Sequence, residues 1–133
     1  MDFDDFRAAT EKAEKHATRG AHREALAVLN ELAASDLPDL DRALVCVYAA
    51  EAHDRLGETD AALAAFDKAI ALEAPFRRFS AVFKKADYLL RLGRKDESRG
   101  LFESLLERPE ATLAERHSIR ARLKLLRRVP GKA

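Results

Sequence analysis

Apolar residues recur along this chain at the three-to-four-residue spacing of helices that bury one face, and glycines interrupt the recurrence at regular intervals. Gly20, Gly57 and Gly93 each close one such stretch and precede another, 37 and 36 residues apart. The surroundings of each glycine repeat as well. Alanine stands seven residues before (Ala13, Ala50, Ala86), a small residue five after (Ala25, Ala62, Ser98) and a large apolar one nine after (Leu29, Phe66, Phe102). Pro38, Pro75 and Pro109 follow the second stretch each time. A helix pair recurring at this period cannot bury both of its faces alone, so the pattern predicts stacked pairs.

Seven helices follow from the pattern, over about 3–18, 22–34, 40–56, 60–73, 76–92, 95–107 and from Thr112 to Arg128. Asp2 suits the first N-terminus, where a carboxylate meets free N–H groups and the positive dipole end. The glycines supply the left-handed backbone of a tight turn. Pro38 breaks the chain because it lacks an N–H and disfavours helix just before it. Thr112 and Glu115 fit a capping box opening the last helix, and Pro130-Gly131 stops it. Short turns within each pair predict antiparallel packing, with the small residues at the close contacts.

These residues resemble the tetratricopeptide repeat family over nearly the whole chain, as three repeats (about 6–38, 43–75 and 79–109) and a capping helix at about 112–128. The best match is the second copy, where Ala50, Gly57, Ala62, Phe66, Ala69 and Pro75 fall at or within one residue of the signature places. Cys46 stands where the family often has tryptophan, and His16 and His53 where it often has tyrosine. The resemblance implies a single all-α domain, a right-handed superhelical solenoid, whose first helices line a concave groove. It implies protein binding and not chemistry.

Helical spacing then defines a stripe at residues 13, 10, 6 and 3 before each glycine. It holds Arg7, Thr10, Glu14 and Ala17, then Leu44, Val47, Glu51 and Asp54, then Ser80, Phe83, Asp87 and Leu90. An acid recurs at equivalent places (Glu14, Glu51, Asp87) beside Leu44, Val47, Phe83 and Leu90. The expectation is a groove for a peptide with basic and apolar side chains, its apolar residues facing solvent. Arg55, Lys84 and Arg91 are placed to neutralise the acids. A subset of the family grips C-terminal carboxylates with lysine, arginine and asparagine; here the inward places hold Thr10, Glu14, Tyr48, Ser80 and Lys84, which argues against that ligand.

Charge changes the picture further. The net charge is +1, yet residues 1–75 carry a net −8 and residues 76–133 a net +9. The last helix is basic: Arg116, His117, Arg120, Arg122, Lys124, Arg127 and Arg128, with Ile119, Leu123 and Leu126 on its packing face. Its six arginines and lysines, Arg116, Arg120, Arg122, Lys124, Arg127 and Arg128, are a candidate docking surface. Monomer or weak homo-oligomer are both open, and acidic N-terminal and basic C-terminal surfaces offer a self-assembling alternative. Nucleic acid is disfavoured because no aromatic platform accompanies the cations of that helix.

The composition, 47% apolar and 35% charged, is that of a folded helical chain and not a disordered one. A single cysteine, Cys46, cannot form an internal disulfide and reads as a small core residue, pointing to a reducing, cytoplasmic setting. No apolar run approaches the ~20 residues of a membrane span, so no membrane partner is expected. His16 and His53 occupy equivalent places but lack metal-ligand spacing. No nucleophile elbow, phosphate loop or dinucleotide fingerprint appears, so no enzyme activity, catalytic residue, cofactor or metal is expected.

Overall fold

The computed structural model describes residues 2–127. They form seven α-helices and no strand: α1 (Phe3–Thr18), α2 (His22–Ala33), α3 (Asp39–Arg55), α4 (Thr59–Glu73), α5 (Ser80–Arg91), α6 (Lys95–Leu106) and α7 (Leu113–Arg127). The chain divides into two compact units, Met1–Ala81 and Val82–Ala133.

The repeated glycine ends α1, α3 and α5 in the same way. Gly20, Gly57 and Gly93 have φ of 78°, 75° and 81°, a region that a Cβ disfavours. Each turn pairs two orphan carbonyls in a Schellman arrangement. At the first, Gly20 N–H donates to Ala17 O (3.0 Å) and Ala21 N–H to His16 O (2.8 Å). The bonds recur at Gly57–Asp54 and Glu58–His53, and at Gly93–Leu90 and Arg94–Leu89.

In the first unit Ala13, Leu26, Leu29, Leu32, Leu37, Val45, Ala49 and Ala52 form one buried cluster, which joins α1, α2 and α3. Helix α3 packs against both α2 and α4. Its Ala43, Val45, Cys46, Val47, Ala49, Ala50 and Ala52 are all buried, and Ala62, Phe66 and Ala69 are the buried residues of α4's apolar face. The small residues allow the backbones to approach closely, which is why all four of these alanines on α3 are wholly or nearly inaccessible. In the second unit Phe102 and Leu105 of α6 and Ile119, Leu123 and Leu126 of α7 are buried, and the two helices pack together. Ser98 is buried as well, and its hydroxyl donates to Ala86 O at 2.8 Å, which ties α6 to α5.

The local caps follow the sequence. Asp2 Oδ1 accepts from Asp5 N–H (2.8 Å), and Thr112 and Glu115 exchange the two capping-box bonds at 2.7 and 3.1 Å. Helix α5 departs from its expected start at Phe76. Ala74–Phe76 is instead a 3-10 turn, Arg77 takes a left-handed φ of 56°, and the helix begins at Ser80. The cause is Glu73. Its buried carboxylate accepts from Ser80 Oγ (2.7 Å) and Ala81 N–H (2.9 Å), so it caps α5 from the end of the preceding helix.

Candidate functional site

Within the first unit, α3 leaves one narrow stripe in water. Leu44 is 42% exposed and Tyr48 41% exposed, and Glu51 and Arg55 continue the line at spacings of four, three and four. This corrects the sequence-derived stripe by one position. Val47, expected to face solvent, is 3% exposed, and Asp54 is half-buried. At about 100° per residue, Val47 and Asp54 point roughly 60–80° away from the outward line, into the neighbours that flank α3. Tyr48 takes the place expected of Val47.

On α1, Arg7, Glu14 and Ala17 are exposed as expected, as is Glu11. Thr10 is half-buried and its hydroxyl donates to Arg7 O at 2.9 Å, a bond within its own helix. The Arg7 guanidinium stands 6.0 Å from the ring centroid of Phe3.

The α5 part of the stripe is engaged internally. Ser80 is exposed, but its hydroxyl is committed to Glu73. Phe83 is half-buried, edge-on to Phe102 with centroids 5.4 Å apart and planes at 78°. Asp87 accepts two bonds from Arg122 of α7, Nε to Oδ1 at 2.6 Å and Nη2 to Oδ2 at 3.1 Å. The same guanidinium lies 4.6 Å from the Phe83 ring centroid. The third acid of the expected groove is therefore satisfied by the last helix, where the sequence pointed to neighbouring Arg55, Lys84 and Arg91. Leu90 is half-buried.

Two of the six cations assigned to a docking surface have structural duties. Arg122 holds Asp87. Arg116 is half-buried, and its guanidinium donates to Leu106 O (2.8 Å), Arg108 O (2.7 Å) and Ala111 O (3.2 Å). These carbonyls lie at and beyond the end of α6, where a cation also meets the negative dipole end. Arg120, Lys124 and Arg127 are exposed, with His117 beside them. Arg128 lies outside the described residues.

His53 belongs to a surface network. Its Nδ1 is 2.8 Å from Glu58 Oε1, and Arg23 Nη2 pairs with the other carboxylate oxygen. The hydrogen bond to His53 and then the one to Arg23 hold the Glu58 carboxyl below the usual glutamate range. Because the folded value is depressed, the contribution is full above the ordinary glutamate range and is lost as pH falls through the folded value. Glu58→Gln should therefore melt below wild type at neutral pH, with the gap closing as the medium is acidified through the folded value of the Glu58 carboxyl. A gap that persists unchanged in thermal melts across that window rules out the charged network.

Burial pushes the Cys46 thiol up from its ordinary value, which leaves it protonated and poorly nucleophilic. Among the described residues no cluster of three His, Cys, Asp or Glu could hold a metal ion. Among them, too, no helix is long and apolar enough to cross a membrane. Compared with protein-family models and with curated proteins, the chain finds no match, so its own surfaces carry the functional reading.

Proposed function

We propose that this chain is a non-enzymatic protein-interaction module of tetratricopeptide type, a superhelical solenoid that holds a peptide segment of a partner against α1 and α3. The observation that carries this reading is the pair Leu44 and Tyr48. They lie one turn apart on the single exposed stripe of a helix buried on its other sides. Large apolar side chains fixed on a rigid, packed helix suit an anchor pocket, since little freedom is lost on binding. Glu51 follows on the same stripe, and Glu14 is exposed on α1, which shares the α3 core. The favoured ligand has an apolar anchor with basic residues beside it. With Asp87 paired to Arg122, acid recognition falls first to Glu14, exposed on α1. A reducing, cytoplasmic setting fits the single buried thiol.

The test is a displayed peptide library selected on the wild-type chain, followed by titration of the selected peptides against Leu44→Ala and Tyr48→Ala. Each substitution should weaken binding by ~2 kcal/mol, about thirtyfold. Stability should change by less than ~1 kcal/mol, because both side chains are partly in water already. Raised salt should weaken binding further if Glu14 and Glu51 contribute. Selected peptides that bind all three proteins alike would remove α3 as the site.

A further inference from the structure

The outward face of α7 is not needed for its packing. Ile119, Leu123 and Leu126 point inward, while Arg120, Lys124 and Arg127 form an exposed line about 100° around the helix from them, at spacings of four and three. None of these three cations forms an ion pair among the described residues. One exposed leucine shares their line: Leu113, 86% exposed, falls about 20° from Arg120 around the helix axis. A face that combines cations with a bare leucine fits an acidic protein surface better than a phosphate backbone, which would leave the leucine in water.

The chain itself carries the complement. On α1, Asp4 and Glu11 are exposed and form no ion pair among the described residues, and Phe3 is 70% exposed. Asp4 and Glu11 stand seven residues apart, as do Arg120 and Arg127. Both separations are two helical turns, about 10 Å along an axis. Acid can therefore meet cation twice along one helix–helix contact, with Leu113 beside the cations and Phe3 at the flank of the acids supplying apolar area. The wider charge agrees: the net of −8 over residues 1–75 attracts the net of +9 over residues 76–133.

We infer that the outward face of α7 docks on α1 of a second copy of this chain. The contact joins two different surfaces, so it propagates head to tail and closes into a ring or extends as a chain. It goes beyond the peptide site proposed above, which is centred on α3.

Charge exchange tests it. Variant one carries Arg120→Glu and Arg127→Glu; variant two carries Asp4→Lys and Glu11→Lys. All four positions are exposed, and circular dichroism checks that both variants remain helical. Sedimentation velocity over a concentration series should show wild type associating at low salt and weakening about tenfold or more by roughly 0.5 M salt. Each variant alone should remain monomeric. An equimolar mixture should associate again, because each reversed face then meets its complement. A monomeric wild type at several hundred micromolar overturns the inference, as does association that ignores both reversals. Failure of the mixture to reassemble overturns the α1–α7 pairing. An Arg120- and Arg127-dependent complex with a uridine oligonucleotide, formed by a protein that stays monomeric, overturns the inference by assigning the face to nucleic acid. Peptide binding at Leu44 and Tyr48 should survive both reversals, so the two sites fail or stand separately.

Discussion

Ending the chain at Ala111 should unfold the second unit. The truncation removes Ile119, Leu123 and Leu126, each nearly inaccessible to water. Full burial of such side chains stabilises by ~1.5–3 kcal/mol each, so the three amount to ~5–9 kcal/mol before entropy is counted. That is comparable with the whole stability of a small domain. The loss extends beyond apolar area. Phe102 and Leu105 belong to the helix that α7 covers, and both would gain access to water. The carbonyls of Leu106, Arg108 and Ala111 would lose the Arg116 guanidinium. The truncated chain should show less helix by circular dichroism and should aggregate at micromolar concentration. By contrast, Arg120→Gln with Arg127→Gln should leave folding almost intact, since exposed charges contribute only ~0–1 kcal/mol each. A soluble, monomeric truncation with an unchanged melt would make α7 a detached arm with no structural role.

The parts of this structure that were legible in the sequence depend on few neighbours. A left-handed turn residue is a local requirement, so Gly20, Gly57 and Gly93 marked three turns and their spacing marked the period. The Thr112–Glu115 box closes within four residues and could be read directly. The alanines of α3 were legible for a related reason. Ala50 lies at a position that repeats, and it is fully buried. The start of α5 was not legible, because nothing near Ser80 marks it. The cap is Glu73, seven residues back and buried at the end of α4. In sequence a buried glutamate looks like any exposed one.

The candidate site shows the same limit. A helix flanked on one side exposes a broad arc, and either line of residues through Leu44 would then be wet. Helix α3 is flanked by α2 and α4, so its exposed arc shrinks to one line, and the choice between Val47 and Tyr48 rests on neighbours far along the chain. Polarity gave a usable signal: of the two, the hydroxyl of tyrosine suits the wetter position. The Asp87–Arg122 pair joins residues 35 apart. Each was assigned a binding surface from its own helix, and the structure spends both on one internal contact. No periodicity within one helix reveals a partner on another.

Phe102→Ala should destabilise the chain by ~3–5 kcal/mol, the range for a buried aromatic that leaves a cavity. Phe102 is wholly buried on α6, the helix that packs on α7. Its ring also abuts Phe83 of α5 at 5.4 Å, so the substitution removes an aromatic pair as well as volume. The consequence reaches the surface by a short path. Phe83 carries the Arg122 guanidinium on its ring, and Arg122 holds Asp87. Without Phe102 the Phe83 ring can turn, and the platform that orients the ion pair is lost. Phe83→Ala should cost less, because Phe83 is only half-buried. The double variant should cost less than the sum, by ~0.5–1.5 kcal/mol of coupling between the rings. Urea unfolding followed by circular dichroism measures all three, provided the slope stays constant. A loss below ~1 kcal/mol for Phe102→Ala would mean that the α5–α6–α7 interior closes over the cavity and that the packing around Phe102 is not what holds Arg122 against Asp87.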